Sequence, residues 1–233
     1  MTTETAVGRP SADFGTPEAR ERIVAAIAPG YRGEWHLAGA LAQATLYILI
    51  AGSFLEDVRP WEWLILPATL VFANGVEWVV HRGPLHHQWP LVPRPAYNRH
   101  TLTHHSAFSS SNMAMRSWRE MRLVLFPLYA LPALELLISP VIALVWWGLG
   151  PNAGALFVIA SVLYYVLYEL LHLAYHFPAD HALARHPLVA WLRRQHQRHH
   201  DPRRMTEGNF NVSIPLFDWL LGTRLREQEP DRS

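Results

Sequence analysis

Ten of the chain's fourteen histidines fall into four clusters whose spacing suits metal ligation. In order they are His81 and His86; His100, His104 and His105; His172 and His176; and His196, His199 and His200. Imidazole is the commonest protein ligand for transition metals and serves iron and zinc alike. On a helix, residues three and four apart share a face, so each cluster aims two or three ring nitrogens at one point. Ten neutral ligands on two ions give about five each and leave room for dioxygen or water. Nitrogen-rich, sulfur-free, open coordination suits two irons doing oxygen chemistry, and zinc would replace iron readily in purified protein because it binds such ligands more tightly. His87, beside His86, is a further candidate ligand. Glu77, one turn before His81, Glu169, three residues before His172, and Asp201, directly after His200, are candidates to orient a ligand or deliver a proton. His181 and His186 read as surface or supporting residues, and His36 as unrelated to the site.

Composition removes many other chemistries. There is no cysteine, which excludes disulfides, thiolate-bound zinc, iron–sulfur clusters and a cysteine nucleophile. All twenty basic residues are Arg, so Schiff-base chemistry and a Walker-type phosphate loop are excluded too. A net charge of +1 gives no reason to expect a nucleic-acid partner. No HExxH motif supports a zinc protease, and no GxSxG elbow supports a serine hydrolase. No flavin, nicotinamide or haem-binding motif is present, so electrons must come from a separate donor.

The elements that must position the histidines are apolar stretches at 37–54, 61–80, 122–150 and 153–175. A spanning helix needs about 20 mostly apolar residues. The first, second and fourth stretches fit as single spans. The third, with Pro127, Pro132 and Pro140, reads as one long, kinked helix. Trp61, Trp63 and Trp78 flank the second span as interfacial anchors. Four spans put both termini and the 81–121 segment on one side, and nineteen of the twenty Arg lie there, with only Arg59 opposite. By the positive-inside rule that side is cytoplasmic. All ten clustered histidines then meet on the same side. Ahead of the spans, 1–36 is a polar segment holding one short surface helix from Thr16-Pro17-Glu18 to about Ala28; residues 1–15 and 227–233 are expected to be disordered.

With the clusters placed, the chain resembles the fatty acid hydroxylase / sterol desaturase superfamily of integral-membrane diiron enzymes. His81-Arg-x-x-Leu-His86 is similar to that family's first histidine box, and His172-xxx-His176 and His196-xx-His199-His200 to its later ones. The segment from Asn209 to Thr223, with Phe210, Asp218 and Gly222, resembles the family's closing segment. The likeness covers about 65–225 within a membrane domain of 37–226. Three features depart from it: three residues rather than two separate His100 from His104, Asn211 stands where Gly is common, and Leu221 where Phe is common.

The resemblance implies an all-α integral membrane protein of about four transmembrane helices, capped by a cytosolic helical dome that carries a His-rich dimetal site. It implies O2-dependent oxidation of lipid C–H bonds, by hydroxylation or desaturation, at two iron ions. The expected substrate is a fatty acyl or related membrane lipid; a carotenoid, sterol or hopanoid is the alternative within the family, and a His-rich metal transporter the alternative outside it. The expected electron donor is a ferredoxin, or a cytochrome with its reductase. Arg193, Arg194, Arg198, Arg203 and Arg204 could meet an acidic carrier or anionic lipid. Phe126, Tyr164, Tyr165 and Tyr168 are candidates to line a substrate tunnel.

Overall fold

A computed structural model describes residues 14–89 and 94–225, so most of the expected N-terminal disorder, and all of that at 227–233, lies outside the described residues. Helix α1 (Pro17–Ala25) begins where the sequence signals it: the Thr16 hydroxyl accepts from the Ala19 amide at 3.1 Å, and Pro17 opens the first turn. Four long apolar helices follow. α2 is Gly33–Gly52. α3 is Ile65–Val80, entered through a 3-10 turn at Pro60–Leu64 and prolonged by a π-helical turn at His81–Leu85. Short pieces come next: α4 (Arg94–Tyr97) running into a second π turn at Asn98–His104, then α5 (His105–Ala107) and α6 (Met121–Val124). α7 (Ala130–Leu149) and α8 (Pro151–Tyr175) are the third and fourth long helices. The remainder is α9 (Ala182–Arg185), α10 (Pro187–His199) and α11 (Leu216–Leu220). The described residues contain no strand, only a single isolated bridge between Ser109 and Asn112.

Among the described residues, four helices are long and apolar enough to cross a membrane. Their outward faces expose Leu49, Leu136, Leu144 and Trp147, the last at 83%. In water such a surface would be costly; against lipid it is the favourable one. α8 is the buried axis of the bundle and packs against α2, α3 and α7. α7 and α8 are joined by Gly150 alone, at φ +105°, a region open to glycine, with Pro151 starting the next helix.

The third span differs from its sequence reading. It begins at Ala130, not near 122. Pro127 disfavours helical geometry at Phe126, so the chain extends at Leu125 and turns, with the Ala130 amide donating to the Pro127 carbonyl at 2.7 Å. α6 and this turn belong to the cap over the bundle end. Pro132 falls in the first turn of α7, where its missing N–H costs nothing.

α1 packs on the cap as well. Ile27, Phe108, Met115, Met121 and Leu173 share one core between α1, the cap and the end of α8.

Candidate metal centre

The ten clustered histidines converge in the cap, at the ends of α3 and α8. They form two groups of five. One holds His81, His86, His100, His105 and His199; the other holds His104, His172, His176, His196 and His200; in each, the five candidate ligand atoms lie within 4.8 Å of one another. All ten are buried. The groups share a wall, since the His105 and His200 rings stack with centroids 4.2 Å apart.

This division is not the one that helical periodicity predicts. His100 pairs with His105, five residues on, and not with His104. The reason is the π turn at Asn98–His104: the His105 amide donates to the His100 carbonyl, a five-residue step, so residues five apart come side by side. Their Nε2 atoms stand 3.1 Å apart. The unusual spacing of the second cluster is absorbed there. A second π turn does the same for His81 and His86, whose rings stack at 5.1 Å, with Gly83 and Pro84 forming the kink between them. On α10, His196 and His200 face one group and His199 the other, because adjacent helical residues point in different directions.

Ring orientation is set by backbone carbonyls. Nδ1 of His81 donates to the Phe210 carbonyl and Nδ1 of His199 to that of Gly208 at 2.9 Å. In the other group, His104 donates to Leu123 at 2.9 Å, His176 to Met113 at 2.7 Å and His200 to Phe108 at 2.7 Å. A carbonyl only accepts, so the proton of each neutral ring sits on Nδ1 and the Nε2 lone pair faces inward. The Nε2 atoms of His104 and His200 are then two bare acceptors 3.1 Å apart. Such a pair repels unless a cation lies between them. Nitrogens bound at about 2.1 Å to one ion and at right angles to each other stand about 3 Å apart. The contacts of His81 with His100 (2.9 Å), His86 with His199 (3.0 Å) and His196 with His200 (3.0 Å) have that spacing. The residues present therefore fit two metal ions.

Burial keeps these rings neutral. It pushes His86, His100, His104, His105, His176, His196 and His200 well below the usual histidine range, with neighbouring imidazoles adding to the effect. His199 is lowered to about 4 by burial, against the opposing hydrogen bond to Gly208.

The other sequence candidates lie elsewhere. His87 is half-buried, and its Nδ1 meets the Arg82 carbonyl at 2.8 Å, outside both groups. Asp201 accepts from the Arg203 amide at 3.0 Å in a surface turn. His181 caps α9, and His186 precedes α10. Glu77 is buried and accepts from the Val212 and Ser213 amides, the Ser213 hydroxyl and Tyr164. It ties α3 and α8 to the closing segment. The Tyr164 hydroxyl is a member of this network. Glu169 accepts from the Phe126 amide and the Tyr165 hydroxyl, both at 3.0 Å, and leaves its second oxygen bare one helical turn before His172.

Sequence reasoning gave Asp218 no part in the site. It is fully buried, and its carboxylate accepts from the amides of Phe210 (3.0 Å) and Asn211 (2.8 Å) and from the Thr223 hydroxyl (2.6 Å). It thereby fixes the loop that offers its carbonyls to His81 and His199. Asn209, at φ +54°, makes the turn between those two carbonyls, and Asn is one of the few side chains that tolerates it. The signal was the acid in the closing segment, but nothing local tells which amides it would reach.

A family profile described as "Fatty acid hydroxylase" matches residues 66–223, more than half of the chain. Among curated proteins, no significant sequence match was found. A solved structure, "Full length scs7p (only hydroxylase domain visible)", superposes with a TM-score of 0.56 at 18% identity, covering 82% of this chain and 67% of that one. At that identity the likeness speaks for the fold. The profile match, with ten histidines gathered at the end of four apolar helices, identifies the chain as a member of the fatty acid hydroxylase family: an integral-membrane oxidoreductase of lipid hydroxylation.

Proposed function

We propose that the chain catalyses O2-dependent hydroxylation of a fatty acyl or related membrane lipid at two iron ions, each held by one group of five histidines. The observation that carries this reading is the pair of inward-facing, unprotonated Nε2 atoms of His104 and His200, with Nε2 contacts of the same spacing in both groups. When bound, the irons would supply the activation of dioxygen. The protein supplies the rest. Carbonyls at Phe210, Gly208, Leu123, Met113 and Phe108 hold five rings in one tautomer. The buried cap excludes water, which protects a strong oxidant from side reactions.

Phe126 stacks on Tyr168 with centroids 5.2 Å apart, and Tyr168 lies 5.6 Å from the His172 ring. These aromatics form the wall along which an acyl chain would approach from the bilayer. Glu169, with one oxygen pinned and one bare, is placed to hold a proton beside that wall. Electrons come from a separate ferredoxin or cytochrome that docks on the face carrying the cap, which the positive-inside rule and the Arg distribution make cytoplasmic.

A metal transporter would hold its ligands near the middle of the bilayer. The histidines here sit at helix ends under a cap, which favours the enzyme. Lipid profiling of cells with and without the chain tests the reading: a lipid gains one oxygen atom when it is expressed, and His172→Ala and His199→Ala abolish the gain. Unchanged lipids with altered metal accumulation would favour transport instead.

A further inference from the structure

The second histidine group depends on a loop that the first does not use. Residues 108–115 pass along its outer side. The Phe108 carbonyl accepts from His200 and the Met113 carbonyl from His176, while the Ser110 and Met115 amides donate back to the carbonyls of His200 (3.2 Å) and His176 (2.7 Å). The Phe108 ring packs 4.4 Å from that of His176. The loop contains only short-range backbone structure of its own, the Ser109–Asn112 bridge. Something outside it must hold its shape.

Beyond those bonds to His200 and His176, and the Gln197 amide that donates to the Ser110 carbonyl at 2.5 Å, support comes from α1, upstream of the family-matched region. Arg20 is fully buried. Its guanidinium donates to the Asn112 side chain at 2.7 Å, to the Ala114 carbonyl at 2.7 Å and to Glu120, and it lies 4.8 Å from the Phe108 ring centroid. Glu120 in turn accepts from the Arg116 amide at 3.2 Å. One planar fork thus gathers four points along 108–120. Burying an ion pair is expensive and is a weak source of stability, so its presence calls for a positional role.

We propose that Arg20 is a positioning residue for the second metal ion: it holds the 108–115 loop so that the Phe108 and Met113 carbonyls fix the rings of His200 and His176. The inference rests on the two-metal reading above. It makes one of the two sites dependent on a helix that lies outside the hydroxylase region.

The test compares wild type with Arg20→Met and with Arg20→Met/Glu120→Gln. The double variant removes both charges together, which avoids leaving a lone buried charge and preserves folding. Purified metal-free protein is titrated with cobalt(II), followed by visible absorption, and amide exchange across 108–115 is measured in parallel. The expected result is that the double variant binds the first ion as wild type does. Its affinity for the second falls by roughly 10–100-fold, and 108–115 exchanges faster even without metal. Two ions bound with wild-type affinity and unchanged exchange would overturn the proposal, as would equal loss of both ions. A wild-type chain that itself binds fewer than two ions would instead sink the two-metal reading.

Discussion

Asp218→Asn should selectively cripple the first histidine group. The carboxylate receives three donors: the amides of Phe210 and Asn211 and the hydroxyl of Thr223. An amide of the same shape offers one oxygen and one NH2. Whichever way it turns, the NH2 meets a buried backbone N–H. That leaves at least one donor unsatisfied, at about 1–3 kcal/mol, and removes charge-assisted bonds of about 1.5–3 kcal/mol. The strain falls on the loop carrying the Phe210 and Gly208 carbonyls, which orient His81 and His199. Loss of such an outer support typically costs 10–100-fold in metal affinity. The second group takes its carbonyls from Leu123, Met113 and Phe108 and should be spared. The assay is metal content per chain after dialysis against a graded chelator, with thermal melting to confirm folding. Wild type holds two ions and Asp218→Asn falls to one. Asp201→Asn, in a surface turn, is the control and retains both. If Asp218→Asn keeps two ions, or releases both at the same chelator strength, the argument for separate carbonyl supports fails.

Acidification gives a further prediction. His199 has a folded-state pKa of about 4 against 6.5 when exposed, so the unfolded chain takes up the proton first. Its contribution to stability, on the order of 3 kcal/mol, is present above about pH 6.5 and lost as pH falls toward 4. The metal-free protein should melt progressively lower across that window, and a flat profile would refute the buried neutral rings. His105→Ala should weaken the ion held with His100, and His104→Ala the other ion; metal titration that finds both variants affecting one ion would contradict the π-turn pairing. Leu144→Arg, at a residue 72% exposed, should disfavour membrane insertion by ~3 kcal/mol, read by an insertion assay; no loss would place that face away from lipid. Because the chain has no native cysteine, single cysteines report topology directly. Asp57→Cys should react with an impermeant maleimide in intact cells and Gln88→Cys only after permeabilisation, whereas the reverse pattern would invert the orientation.

The apolar lengths and the histidine clusters were legible because both are local. Burial in lipid demands about 20 apolar residues in a row, and ligands on one helix must recur at short spacing. The partition of the ligands was not legible. A period of 3.6 pairs His100 with His104, and only a π turn, which leaves no compositional mark, pairs it with His105. The third span was misplaced at its start because Leu123, Val124 and Leu125 are as apolar as the span itself, and Pro127 could as well have kinked a helix as ended one. Glu77 stands out as a candidate to orient a ligand because it lies one turn before His81, but Val212 and Ser213, whose amides it accepts from, lie more than a hundred residues away. Arg20 acts through contacts of the same long-range kind, 92 to 100 residues away. Asp218 reaches amides only seven and eight residues off, but through an irregular loop whose path no periodicity in the sequence describes.

The most direct test of the central claim is oxygen-isotope labelling. Membranes containing the chain, supplied with iron, reductant and an electron carrier under 18O2, should yield a lipid bearing one 18O atom. His104→Ala and His199→Ala should yield none. Absence of labelled lipid from wild type under these conditions, or label drawn from water and not from dioxygen, would contradict the account.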